Sequence, residues 1–500
     1  MSHSSKKNRD LFQKTKTEQK HTLKNANPNK ESRHPLIYYG LAFFAILMIL
    51  IASVPLIRAR FFTERSDRIY RADLNTIKSI KPYLLSSKPL SLRVEYPDEQ
   101  EYWDEKKGQW KEGYEEALAQ WEDDQQSRKK LAQEYQGAYR KFVTTSIPVM
   151  IPDGQENSLI SPLNLYLAMG MLAETTAGDS REELLHALQQ SDIESVRNAA
   201  SALWERNFQN DGRSTLILGN SLWLRKGEKY IQDTISQLAF EYHADVFSGD
   251  MTDPNYSNAL RFWLNSKTNQ VLSDRTEEKK FAPEDVFSLI SAIYLRTPWE
   301  QAFEMSATQD GIFHGISGDR TVPFMQETQQ GIYYEGNGYT AVRKKLQGGA
   351  MYFLLPEGKS VAELSQSGAW CDLLFSPDKG KQKSASIRLV LPKFDVTADL
   401  NMMDAMKKIG VEKIFQEGNA DFSSMVQSDS PLIVSEFQHS AGAHVNETGV
   451  EAAAFTQIRV VATAAPVKEE SIEFRLDRPF LYVIVNDEGD PIFVGTVNSL

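Results

Sequence analysis

The segment Glu447–Thr456, E-T-G-V-E-A-A-A-F-T, constrains this chain more than any other stretch. Three consecutive alanines add little to a packed core, because each buries only a methyl group. They suit a segment that has to slide into a narrow slot. As a strand, the segment would turn successive side chains to opposite faces. Val450, Ala452, Ala454, Thr456, Ile458, Val460 and Ala462 would share one face, small or apolar throughout and fit to lie over a core. Glu451, Ala453, Phe455, Gln457, Arg459, Val461 and Thr463 would share the other, which holds the charges and the one bulky ring and suits water. Such alternation marks a strand, yet the composition is that of a solvent-exposed loop. The segment reads as a loop that can become a strand.

Other short motifs precede and follow it in a fixed order. They begin with Asn157-Ser-Leu-Ile-Ser161-Pro162-Leu163, then Leu172 through Gly178, Asp179 and Ser180 with Arg181-Glu182. Trp263 with Thr268-Asn269, Ala292-Ile293-Tyr294 with Trp299 and Phe303, and Val322-Pro323-Phe324-Met325 come next. Leu391-Pro392-Lys393-Phe394, Ala420-Asp421-Phe422-Ser423, Ser435 and His439 lead up to the alanine segment. Arg478-Pro479-Phe480 and Phe493-Val494-Gly495 close the chain. Each motif alone is weak, but their order over residues 125–500 resembles the serpins, protease inhibitors whose cleaved loop inserts into their own sheet. The resemblance implies an α+β fold: a large central, mostly antiparallel sheet, surrounding helices and an exposed reactive-centre loop.

It also implies a mechanism. A target protease attacks the loop as a substrate and forms an acyl-enzyme. The hinge half then enters the sheet as a new strand and distorts the protease before water can release it. About fourteen inserted residues at about 3.3 Å each would carry the protease roughly 45 Å. Counted from Gly449, that length ends at Thr463–Ala464, the expected reactive bond, with cleavage after Ala462 or Ala464 as alternatives. The surrounding Val460-Val461-Ala462-Thr463-Ala464-Ala465 is small and uncharged and suits an elastase-like or subtilisin-like serine protease; cysteine proteases are a second target class. A trypsin-like cut after Arg459 would leave too short a segment to insert. The hinge and inserting loop are Glu447, Gly449, Val450, Glu451, Ala452, Ala453, Ala454 and Thr456, and the resemblance assigns Ser161, Ser435 and His439 to the structural switch region. Four positions depart from the family's usual residues: Val450 for Thr or Ser, Phe455 for Ala, Ser291 for Asn, and Gly442 for an aromatic. Val450 is β-branched and uncharged, so insertion should tolerate it. A non-inhibitory serpin acting as a cell-surface binding module stays open as the alternative. Such members often carry charged or bulky residues on the inward hinge face, and this chain does not.

Other chemistries fare poorly. The eight histidines are scattered, without HExxH or paired metal-ligand spacing. Gly336-Asn-Gly338-Tyr-Thr-Ala341 mimics a dinucleotide fingerprint, but it leads into Val342-Arg-Lys-Lys rather than a helix, so Asn337-Gly338 is expected to be a hairpin turn. Ser435 and His439 suggest a nucleophile and base, yet no acid partner, oxyanion loop or G-x-S-x-G elbow accompanies them. Structural hydrogen bonding is expected of them instead. The protein is expected not to be an enzyme and to need no cofactor. One cysteine, Cys371, excludes an intrachain disulfide. The net charge of −11 argues against a nucleic-acid surface.

The first 124 residues read differently. Residues 1–34, with nine Lys/Arg and three acids, are expected to be a disordered cytoplasmic tail. Pro35–Ile57 is uncharged, mostly apolar and long enough to cross a bilayer. It is expected to be a signal-anchor holding the following domain outside the cytoplasm, with cleavage near Ala52-Ser53-Val54 as the alternative. Residues 58–124 are expected to form a linker and an acidic helical stalk. Within it Trp103, Trp110, Tyr114, Ala117 and Trp121 recur at helical spacing, although Gly108 and Gly113 weaken the helix. That stripe would pack on the folded domain, or serve self-association or a partner.

Overall fold

A computed structural model describes residues 78–450 and 471–500, apart from short breaks at 90–92, 105–106, 272–275, 278, 378–380 and 429. Within the described residues, a helical stretch at 78–80 is followed by a short edge strand, β1 (Leu84–Ser86), then a one-turn helix α1 (Glu99–Tyr102) and a tight hairpin, β2 (Trp103–Asp104) and β3 (Gln109–Trp110). A long helix α2 (Tyr114–Met150) and strand β4 (Ser158–Ile160) lead into helices α3 (Pro162–Thr175), α4 (Gly178–Ala187) and α5 (Ile193–Asn207). Strands β5 (Gln209–Asn210) and β6 (Thr215–Arg225), helix α6 (Gln232–Phe240), β7 (Ala244–Gly249), α7 (Pro254–Lys267) and β8 (Phe287–Pro298) follow. Then come β9 (Gln309–Gly315), β10 (Gly318–Gly336), β11 (Tyr339–Leu346), β12 (Gly349–Pro356), two short helices α8 (Val361–Gln366) and α9 (Ala369–Phe375), and β13 (Gln382–Pro392). The last elements are β14 (Phe394–Asn401), α10 (Met403–Lys408), β15 (Gln438–Asn446), β16 (Gly449–Val450), β17 (Ser471–Arg475), β18 (Phe480–Asn486) and β19 (Pro491–Val497).

Two large sheets organise these elements. The first runs β1-β7-β6-β8-β16-β15-β14, antiparallel except for the β6–β7 pair. The second runs β17-β13-β10-β11-β12-β18-β19-β4, antiparallel except for β13–β17. This is the expected α+β architecture with a large, mostly antiparallel sheet. Local chemistry starts several helices. Ser161 accepts the Asn164 N–H ahead of α3, with Pro162 in its first turn. Asp192 caps α5, Asp253 caps α7, and Ser360 with Glu363 forms a reciprocal capping box on α8. The Asn337-Gly338 hairpin is as expected: Gly336 pairs with Tyr339, and Gly338 has φ 77°.

The N-terminal region departs from the sequence reading. One helix with an aromatic stripe was expected over Trp103–Trp121. Instead Trp103 and Trp110 face each other across the β2–β3 hairpin, with ring centroids 5.0 Å apart, and Trp110 stacks on Tyr114 at 4.0 Å. Gly108 and Gly113 adopt φ of 61° and 89°, so the two residues that weaken a helix make the turns here. Trp121 meets the body, donating Nε1–H to Asp211 at 2.8 Å, while Trp103 and Trp110 are exposed. The boundary expected at residue 124 falls inside α2. That helix is tied to the turn between β18 and β19, by Lys129 to Asp487 at 2.5 Å and Arg140 to Asp490 at 2.6 Å. The expected linker supplies β1, which pairs with the outer edge of β7.

The membrane-anchored localisation, with an extracytoplasmic domain, is also corrected. Among the described residues no helix is long and apolar enough to cross a membrane. The longest, α2, carries charges from Glu115 to Lys141, two of which, Lys129 and Arg140, pair with Asp487 and Asp490 of the folded body. The segment 35–57 lies outside the described residues.

Candidate functional site: the hinge and the slot between β8 and β15

No ladder joins β8 directly to β15 among the described residues. The two residues of β16 alone lie between them, pairing Gly449 with Pro298 and Asn446, and Val450 with Thr297 and Val445. The slot is thus filled at its upper end and unladdered below. Val450 is buried there, as are Glu447 and Thr448 before it, and the rest of the expected inward face lies outside the described residues. Gly449 has to be glycine for space: a Cβ would lie 2.4 Å from the Thr297 carbonyl oxygen and 2.6 Å from the Pro298 Cα.

The turn feeding β16 is held from both sheets. Asn446 Oδ1 accepts the Thr448 N–H at 2.9 Å and its hydroxyl at 2.7 Å. Trp299 Nε1–H donates to the Asn446 carbonyl at 2.9 Å, and its backbone N–H donates to the Thr448 carbonyl at 3.0 Å. The Phe303 N–H donates to the Glu447 carbonyl at 2.9 Å. The Glu447 carboxylate accepts from Thr308 Oγ1 at 2.9 Å and pairs with Lys393 at 3.1 Å. Burial pushes that carboxyl up, but hydrogen bonds from its own backbone N–H, Lys393 and Thr308 outweigh it and hold it below the usual range.

Lower down the buried fastenings are neutral hydrogen bonds, beside a half-buried ion pair of Lys279 with Asp399 at 3.3 Å. His439, on β15 and fully buried, accepts the Ser161 N–H on Nε2 at 3.0 Å, so its ring proton belongs on Nδ1. Burial pushes this imidazole down to about 4, against the pull of the Asp399 carboxylate. Ser161 Oγ–H donates to the Ile492 carbonyl at 2.8 Å. Ser291, on β8, donates to Asn220 Oδ1 at 2.8 Å and also contacts Asn164 Oδ1. Its hydroxyl thereby binds β8 to β6 and α3.

The structure therefore brings Ser161 and His439 together, and Glu447, Gly449 and Val450 at the opening of the slot. Ser435 is not part of either group. It is exposed ahead of β15, and the acceptor nitrogen of His439 is already taken by Ser161, so these two do not form a nucleophile and base. Glu451, Ala452, Ala453, Ala454, Thr456, Thr463 and Ala464 lie outside the described residues. Trp299, Phe303 and Lys393 occur in the motifs quoted above, but nothing in those motifs signals that they grip the hinge. Thr308 and Asn446 carry no sequence signal at all.

Comparison with known proteins bears on the same region. Residues 140–500 match the family model described as serpin (serine protease inhibitor). The chain is 25% identical over 352 residues to alpha-1-antiproteinase of Rattus norvegicus, covering 68% of this chain and 83% of that protein. Among solved structures it is similar to the thermophilic serpin tengpin in its native state, with a TM-score of 0.65 and 28% identity over 73% of this chain and 94% of that one. The latent state of tengpin also matches, with a TM-score of 0.61 and 26% identity over 73% of this chain and 97% of that one. Everything before residue 140, including the Trp103–Trp110 hairpin, lies outside the family match.

Proposed function

Because the chain belongs to the serpin family of serine protease inhibitors, we propose that it acts as a suicide substrate of a serine protease. The protease serine attacks the carbonyl carbon of Thr463, and the new ester forms as the Thr463–Ala464 amide breaks, releasing the Ala464 amine. The hinge half of the loop then continues the strand begun by Gly449 and Val450. Small side chains at Ala452, Ala454, Thr456 and onward let it pass between β8 and β15. Insertion drags the tethered protease away and disorders its active site before water reaches the ester. Elastase-like or subtilisin-like enzymes fit the small residues flanking the bond; cysteine proteases form the second class. The inhibitor is consumed once and does not turn over, as family members generally inhibit proteases rather than catalyse.

One observation carries this reading: Gly449 and Val450 sit between two strands that share no ladder of their own. Completing that strand adds backbone hydrogen bonds on both sides, each worth about 1 kcal/mol net. The native and latent states of tengpin fit a fold with more than one folded arrangement. The test is incubation of the purified chain with an elastase, a subtilisin and trypsin, read on denaturing gels and by mass spectrometry. The expected result is a denaturant-resistant complex with the first two and a C-terminal fragment beginning at Ala464. Clean cleavage by every protease, with no complex, would place the chain among the non-inhibitory members.

A further inference from the structure

Lys344 is buried on β11, in the sheet that does not receive the loop. Its Nζ donates to the Gln301 carbonyl at 2.9 Å and to a Glu327 carboxylate oxygen at 2.5 Å. The same ammonium lies 4.2 Å from the centre of the Phe303 ring and 5.2 Å from that of Trp299. Burial lowers the tendency of this lysine to hold its proton, and the Glu327 carboxylate opposes that. A charge in such a place is costly, and well-packed apolar residues are often as stable or more so. The ion pair is therefore poorly explained as a source of stability.

What Lys344 touches suggests its use. Trp299 and Phe303 are the residues whose backbone N–H groups hold the hinge, through the Thr448 and Glu447 carbonyls. Gln301 lies between them. An ammonium fits this spot for a chemical reason: it satisfies the half-buried Gln301 carbonyl and lies against two aromatic rings at once. A methionine of similar length would fill the space and leave the Gln301 carbonyl unheld. We propose that Lys344 is a positioning residue for loop insertion. It clamps the Trp299–Phe303 turn so that residues 446–449 stay in register with the slot, and thereby sets how fast the cleaved loop enters. The proposal rests on the suicide-substrate reading, in which insertion races deacylation. A hinge that wanders out of register loses that race more often, and the protein is cleaved as an ordinary substrate.

The test uses the full chain carrying Lys344→Met together with Glu327→Leu, so that no charge is left buried alone. Glu327→Gln alone, which keeps the lysine and weakens its anchor, serves if the double variant folds poorly. In the folded double variant, amide hydrogen exchange of the peptide containing Trp299–Phe303 should speed up by about fivefold or more, the effect of losing one hydrogen bond. This readout does not depend on inhibition. With a protease that forms the stable complex, the number of inhibitor molecules cleaved per protease trapped should rise by about the same factor. Glu327→Gln should move both readouts in the same direction by less. Unchanged exchange at Trp299–Phe303 would overturn the clamp. Faster exchange with an unchanged partition would reduce Lys344 to a structural residue and overturn the proposal. A parent protein that traps no protease would instead refute the suicide-substrate reading, while exchange still reports on the clamp.

Discussion

The two ends of the slot between β8 and β15 are fastened by different chemistry. At the top, Glu447 is held by Lys393 and Thr308, Trp299 and Phe303 reach the turn from their backbones, and Lys344 braces both from the second sheet. Below, Ser161, His439, Ser291 and Asn220 use neutral hydrogen bonds alone. The upper end already holds two residues of a new strand, so its bonds fix a starting register. On the proposed mechanism the lower end has to part for a strand to pass. Neutral contacts can be exchanged for ladder bonds without baring a charge, which costs far less than separating a buried ion pair. A starting point needs precision and a passage needs a low barrier.

The largest effect should come from filling the passage. Cleavage at Thr463–Ala464 by an elastase should raise the unfolding temperature by tens of degrees, because a central strand adds many kcal/mol to a typical total of about 5–15 kcal/mol. A thermal melt before and after cleavage, with the cut confirmed, checks it. An unchanged melting temperature would mean that the slot does not fill.

Next comes the face that lines the passage. Ala454→Arg should abolish complex formation and leave a cleaved substrate, since a buried unpaired charge costs several kcal/mol. Gln457→Arg, on the opposite face, should inhibit like the parent. Gels of both variants with the same protease decide it. Equal behaviour would show that the alternation beyond Val450 is misassigned.

The buried neutral contacts at the lower end make a pH prediction. The imidazole of His439 is pushed down to about 4 in the folded protein, against an ordinary value of 6.5. The unfolded chain therefore binds the extra proton first as pH falls. The stability tied to neutral His439 is complete above about pH 6.5 and is lost as pH drops to 4, about 3 kcal/mol in all. Urea unfolding at pH 7.5 and 4.5 should show most of this loss, and His439→Gln should flatten it.

The smallest effect belongs to a salt bridge at the upper end. Lys393→Ala should cost about 1 kcal/mol or less, because the lysine side chain is 37% exposed and its pair with Glu447 is screened by solvent. The cost should shrink further at high salt. A loss of several kcal/mol would show that the Lys393 pair, rather than the backbone bonds of Trp299 and Phe303, carries the hinge.

Much of this was legible in the residues. The small-residue alternation that led to the hinge assignment was legible because a strand's period is local and is written in consecutive side chains. The Asn337-Gly338 turn was legible for the same reason: it depends on neighbours within a few positions. The aromatic spacing from Trp103 to Trp121 misled because it fits a helix equally well. The packing of Trp110 on Tyr114, and left-handed turns at Gly108 and Gly113, favoured a hairpin instead.

The sequence by itself determined which segment carries a strand's alternation of small residues, where the Asn337-Gly338 hairpin turns, and the family to which the motifs belong, since all of these are set by local chemistry and its order along the chain. Only the tertiary structure decided what holds that segment in place. Lys393 reaches Glu447, Lys344 reaches Gln301 and Glu327, and Ser161 meets His439 while Ser435 stays outside. Those pairings join residues far apart in sequence and depend on how two sheets stack and which strand ends coincide, a property of packing that no periodicity records.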